Sequence, residues 1–171
     1  DQALAAVGNM SSLSFLIMGF SMGLTNGFSV SIAQSYGAKN YAGLRKTIAS
    51  SIELSVGIGV ILTIISTCFL QGLLELLQTS DLIMKDSLIY GYVLFGGLIA
   101  TLAYNLCACI LRALGDSKTP FIAIIISSIV NVTLNYVFIF PLQAGVAGAA
   151  IATIISQIIS AGICFIKLRK V

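Results

Sequence analysis

Residues 120–140 read "PFIAIIISSIVNVTLNYVFIF", an uncharged run whose reading decides the fold class. As an α-helix at 1.5 Å per residue it is about 31 Å long, enough to cross a hydrocarbon core about 30 Å thick. A helix also satisfies its own backbone hydrogen bonds, which lipid cannot do for it. Strands of a membrane β-barrel would alternate over about 10 residues, whereas this run is continuous and twice that length.

Turn chemistry frames the run on both sides. Upstream, "GDSKTP" (115–120) offers Gly115 as the end of one helix, Thr119 as an N-cap and Pro120 as a first helical residue. Downstream, Pro141 closes the span, and "PLQAG" (141–145) is short enough to force an antiparallel hairpin with the next run. The same reading along the chain gives five spans, at about 10–34, 47–74, 87–111, 120–140 and 145–166. Only Glu53 is charged inside any of them. It lies about 9 Å from the inner end by helical rise, within reach of the interface or of Lys46. The composition agrees: 58% of the 171 residues are hydrophobic and 9% charged, against about 25% charged in soluble domains. The expected fold is an all-α, polytopic transmembrane helix bundle.

The nine Lys and Arg residues, which set the formal charge of +3, follow the spans. None precedes the first span. Lys39, Arg45 and Lys46 follow it, then Lys85 alone, then Arg112 and Lys118, then none, then Lys167, Arg169 and Lys170. High and low values alternate, so the N-terminus is expected outside and the C-terminus in the cytoplasm. This charge reads as topology, and no nucleic-acid partner is expected. No initiator Met, signal peptide or basic leader precedes Asp1, so the chain is expected to be a segment of a longer protein.

Enzymatic chemistry finds no support in the residue types. His is absent, no glycine-rich phosphate loop ends in Lys and Ser or Thr, and no metal-ligand cluster occurs. Cys68, Cys107, Cys109 and Cys164 all lie in apolar runs, which fits buried thiols better than disulfides. Cys107 and Cys109 point to nearly opposite faces of a helix, a poor metal site. No catalytic residue, resident metal or cofactor is expected.

Helices in lipid approach closely where small residues recur four apart. Gly19, Gly23, Gly27 and Ser31 form such a stripe, as do Ser51, Ser55 and Gly59, and Gly148, Ala152, Ser156 and Ser160. Each is expected to be a packing surface.

Asn131 and Asn135 interrupt the deciding run on one helix face, with Ser127 and Ser128 a turn away. They lie roughly 13 Å and 8 Å from the outer end, and Thr153 on the next helix lies roughly 12 Å deep. Two readings are open. Either each Asn is interhelical glue, worth about 0.6 kcal/mol, or these neutral groups line a polar cavity suited to a cation, water or a drug-like substrate.

The succession of "SIAQSYGAKN" (31–40), "ILRALGDSKTP" (110–120), "IVNVTLNYVFIF" (129–140) and "GVAGAAIATIISQ" (145–157) resembles the multidrug and toxic compound extrusion (MATE) family. The resemblance covers essentially residues 1–171 and implies five spans of a six-helix lobe. These would be spans two to six of a twelve-span transporter, a partial N-terminal lobe lacking the first span and the C-terminal lobe. Family members are multi-pass proteins of the cell membrane that export cationic, drug-like compounds in exchange for Na⁺ or H⁺, by alternating access. The resemblance carries a cation and substrate cavity onto Asn131, Asn135 and Thr153, with Tyr90 and Asn105 as further polar members. At Asn135 the family's relevant branch has an acid; a carboxamide neither titrates nor carries charge. Two alternatives stand beside this reading. One is a lipid-linked oligosaccharide flippase of related architecture, favoured by clustered intramembrane Arg or Lys, which this sequence lacks. The other is a non-transporting structural membrane bundle.

Overall fold

The computed structural model describes residues 2–76 and 79–170. Among these residues the only regular elements are helices: α1 (Gln2–Gly37), α2 (Tyr41–Cys68), the short α3 (Leu70–Leu76), α4 (Asp81–Gly96), α5 (Leu98–Ala113), α6 (Lys118–Ile139) and α7 (Gly145–Leu168). Four helices are individually long and apolar enough to cross a membrane, and α4 with α5, bent by 43° where they meet, makes a fifth candidate when the pair is taken as one span. The protein is a polytopic helical membrane bundle.

Two of the runs are divided. The run at 47–74 breaks at Phe69, where the α2 ladder ends and α3 turns away, burying Leu70 and Leu74 completely. With Ile17, Leu94, Phe95, Leu98 and Leu102 these leucines form one apolar cluster of the core. The run at 87–111 bends at Gly97, as helices do at glycine pairs. A Cβ at Gly97 would stand 2.4 Å from Ile154 Cγ1 on α7, so the bend lets α7 approach this backbone closely.

The turn before α6 corrects the expected cap. Gly115, at φ +92°, ends α5 in a left-handed conformation. The Asp116 and Gly115 N–H groups return to the carbonyls of Leu111 and Arg112 at 2.8 and 3.0 Å, the paired bonds of a Schellman stop. Thr119 lies inside α6 and Asp116 does the capping. Its carboxylate accepts from the Thr119 N–H at 3.0 Å and the Thr119 hydroxyl at 2.6 Å. Those two bonds, reinforced by Lys167 at 4.0 Å, hold the Asp116 carboxyl below the usual carboxylate range. This ion pair is the only one among the described residues; the Glu53–Lys46 pair does not form, and Glu53 is exposed.

Packing is inverted relative to a water-soluble protein. Ser21, Thr25, Ser51, Ser55, Ser87, Ser156 and Ser160 are buried, while Ile124, Ile129, Val132, Ile158 and Phe165 are exposed. Ser21 and Thr25 donate within their own helix, to the Ile17 carbonyl at 2.8 Å and the Ser21 carbonyl at 3.0 Å, whereas the Ser55 and Ser87 hydroxyls have no partner among the described residues. The small-residue stripes of α2 and α7 are buried as expected. That of α1 is not: Gly19, Gly23 and Gly27 have open space where a Cβ would project, and Ser31 is exposed. The face α1 turns inward instead carries Ile17, Ser21, Thr25 and Ile32.

Helix α7 is the hub, lying against α6, α5 and α4, while among the described residues α6 meets only α7 and α5. A Cβ at Gly148 would stand 2.8 Å from Phe138 Cβ on α6, and Ser160 donates to the Ala123 carbonyl at 3.4 Å toward the other end of the pair. Because successive spans run in opposite directions, Lys39, Arg45, Lys46, Arg112, Lys118, Lys167, Arg169 and Lys170 all gather at one end, and only Lys85 lies elsewhere.

Gly148→Val is expected to destabilise the bundle by about 1–3 kcal/mol, the usual range for overpacking, measured by denaturation in mixed micelles. Asp116→Asn is expected to lower the melting temperature at pH 7. The carboxylate's contribution is complete above its unfolded pKa of about 3.9 and fades as pH falls through its lower folded value. The gap between variant and parent should therefore narrow in melts followed by circular dichroism at progressively lower pH.

Candidate functional site

The short turn after α6 sets the register of the hairpin. The Ala144 N–H donates to the Phe138 carbonyl at 2.8 Å, and Gln143 and Gly145 take positive φ values of 49° and 54°. With Gly148 fitted against Phe138, the middle of α7 comes level with the middle of α6. A cleft of about 420 Å³ lies between them, lined by Ser127, Ser128, Asn131 and Val132 of α6 and Thr153, Ser156 and Gln157 of α7.

Three of the four lining hydroxyls donate their protons to backbone carbonyls: Ser127 to Ile124 at 3.0 Å, Thr153 to Ala149 at 3.0 Å and Ser156 to Ala152 at 2.7 Å. What remains of these groups is lone pairs. The Asn135 amide donates to Asn131 Oδ1 at 3.0 Å, so the two carboxamides bond each other along α6 and neither bonds a neighbouring helix. Glue between α6 and α7 is supplied by Ser160 instead. Gln157 Oε1 and Asn135 Oδ1 are buried acceptors without a hydrogen-bond partner among the described residues. The cleft is thus rich in uncharged oxygen acceptors and contains no carboxylate, a lining that can solvate a cation without neutralising it.

Of the five residues singled out from sequence, Asn131 and Thr153 line this cleft, and Asn135 adjoins it through Asn131. Tyr90 and Asn105 lie elsewhere. Tyr90 packs against the apolar cluster around Phe95. Asn105 is 8% exposed on α5, its Nδ2 without a partner. Ser156 entered the sequence reading only as a packing residue, and Gln157 was missed; its signal was its place one turn beyond Thr153 on the same face. A second polar cavity, of about 640 Å³, lies between α1 and α5 near the basic end. There the Cys109 thiol donates to Asn26 Oδ1 at 3.2 Å and accepts from Arg112 at 3.5 Å, contacts that sequence spacing did not reveal.

An apolar exterior, charges gathered at the helix ends and an uncharged, open polar cleft midway along two helices define a polytopic membrane protein with a polar site at membrane depth. The MatE family profile matches residues 1–137, and the chain belongs to this family, a family of transporters. It is 35% identical over 173 aligned residues to the probable multidrug resistance protein YoeA of Bacillus subtilis (strain 168), an alignment covering 98% of this chain and 37% of YoeA. Among solved structures it resembles the inward-facing conformation of a multidrug resistance MATE family transporter of the MOP superfamily, with a TM-score of 0.94 and 29% identity. That match covers 98% of this chain and 38% of the other. An outward-facing conformation of such a transporter matches with a TM-score of 0.91 and 30% identity, covering 96% and 37%. The chain therefore spans a little over a third of the length of these relatives.

Asn135→Leu removes the donor to Asn131. The expected loss of stability is small, about 0.6 kcal/mol, as measured in a mixed-micelle denaturation series.

Proposed function

We propose that this chain forms most of the N-terminal lobe of a cation-coupled multidrug efflux antiporter of the cell membrane, exporting cationic drug-like compounds by alternating access. The observation that carries this reading is the acceptor-rich cleft between α6 and α7, where Asn131, Thr153 and Gln157 face one space of about 420 Å³. Neutral oxygens suit both a partly dehydrated Na⁺ and the cationic part of a drug. The kinship with multidrug resistance proteins supports the substrate class. Similar agreement with an inward-facing and an outward-facing transporter supports a lobe that moves as a body between states.

Coupling to Na⁺ or H⁺ requires a charge that the cleft does not hold. In this reading it comes from a first span or from the C-terminal lobe. Those parts also cover the open Gly19, Gly23 and Gly27 face of α1. The basic end lies in the cytoplasm by the positive-inside rule, which puts the N-terminus of α1 outside.

In the complete transporter, Asn131→Ala and Thr153→Val are each expected to reduce efflux of a cationic dye about tenfold, the effect of losing one well-placed polar contact. Efflux would be followed in cells matched for membrane expression. Undiminished efflux in both variants rules out the cleft as the transport site.

A further inference from the structure

Helices α2 and α7 both pack on α5, but among the described residues their backbones do not approach each other. They leave a groove with α5 as its floor, on a different side of α7 from the polar cleft. Leu102, Leu106 and Ile110 lie along the floor, Ile52 and Val56 form one wall and Phe165 the other, around about 190 Å³ of apolar space. Leu168 also borders a second hollow of about 370 Å³ at the basic end, so the two spaces share one wall residue. Tyr36, Tyr41 and Arg45 line this mouth.

From Ile99 in the groove to Leu114 at the mouth is about 22 Å of α5 rise. That matches one leaflet with its headgroup region, half of a total about 40–45 Å thick. The lining is apolar in depth, and the mouth carries the guanidinium of Arg45 one turn inside Tyr41, the first residue of α2, with Tyr36 from the end of α1. Arg45 is exposed and makes no ion pair among the described residues. The loops and helix ends around it carry seven further cations and, as their only acid, Asp116, which is taken by Lys167 and Thr119. Glu53 lies eight residues beyond Arg45 on α2, about 12 Å deeper, below headgroup level.

We propose that this groove is a binding site for an anionic phospholipid of the basic-end leaflet. One acyl chain lies on α5 between α2 and α7, and the phosphate sits on the Arg45 guanidinium between Tyr36 and Tyr41. A planar guanidinium grips phosphate through two parallel hydrogen bonds, and tyrosines favour the headgroup level. Basic pockets between spans on one membrane face are a recurrent form of lipid recognition.

The test is native mass spectrometry of the complete transporter, delipidated and then titrated with phosphatidylglycerol or phosphatidylcholine. The parent should retain phosphatidylglycerol in preference to phosphatidylcholine. Arg45→Ala should weaken retention about tenfold, the effect of one charge-assisted hydrogen-bonded contact, and Arg45→Lys should restore part of it. Ala103→Phe, which fills the groove from its floor, should abolish retention; Val56→Trp fills it from the α2 wall and serves if Ala103→Phe does not fold. Lys118→Ala, at the same end but outside the groove, should match the parent.

Retention lost equally in Lys118→Ala and Arg45→Ala overturns the proposal, since diffuse charge then suffices. Retention that survives both groove-filling variants overturns the acyl-chain assignment. If Ala103→Phe lowers the melting temperature but leaves the lipid count unchanged, a protein segment or a second copy fills the groove and the proposal fails.

Discussion

The close approach of α6 and α7 is the contact on which the rest of the structure depends. In lipid, apolar side chains gain little by leaving the solvent, so two helices stay together only where their backbones come near enough for van der Waals contact and hydrogen bonding. Gly148 permits that approach against Phe138, and Ser160 bonds the Ala123 carbonyl farther along the pair. The hairpin turn fixes which residues face one another. With α7 thus placed, its other faces receive the bend at Gly97 and the length of α5, and the remaining helices pack around them.

The same contact creates the cleft. Asn131 has a partner on its own helix, so the cleft is not closed by a bond to α7, and Thr153 and Gln157 arrive at its level from the opposite wall. Hydroxyls that donate to carbonyls one turn back serve two purposes at once. They remove the cost of a buried proton donor, and they leave oxygen lone pairs facing the open space. An uncharged cleft of this kind offers a cation solvation without the strong attraction of a fixed opposite charge.

Sequence and structure agree where the governing chemistry is local. The helical period, the 4-residue spacing of Asn131 and Asn135 and the left-handed stop at Gly115 are properties of neighbouring residues, and each was readable from them. Thr119 was misread as a cap because Asp116 and Thr119 both suit capping, and which of them accepts depends on the turn's actual path. The break at Phe69 carries no strong breaker residue; burial of Leu70 and Leu74 against other helices decides it. Tyr90 and Asn105 were grouped with the cleft on family resemblance, yet their helices direct them to other surroundings.

The sequence by itself determined that this is an all-helical membrane protein, where its charged ends lie and which residue pairs share a helix face. Those follow from length, hydropathy and a fixed helical period. Only the tertiary structure decided which stripe of each helix meets another. Gly19, Gly23 and Gly27 have the same spacing as Gly148, Ala152 and Ser156, yet the first set is open and the second is buried. A stripe of small residues states that a backbone can be approached; whether another helix is there depends on the hairpins, the bend at Gly97 and the sum of contacts across the bundle.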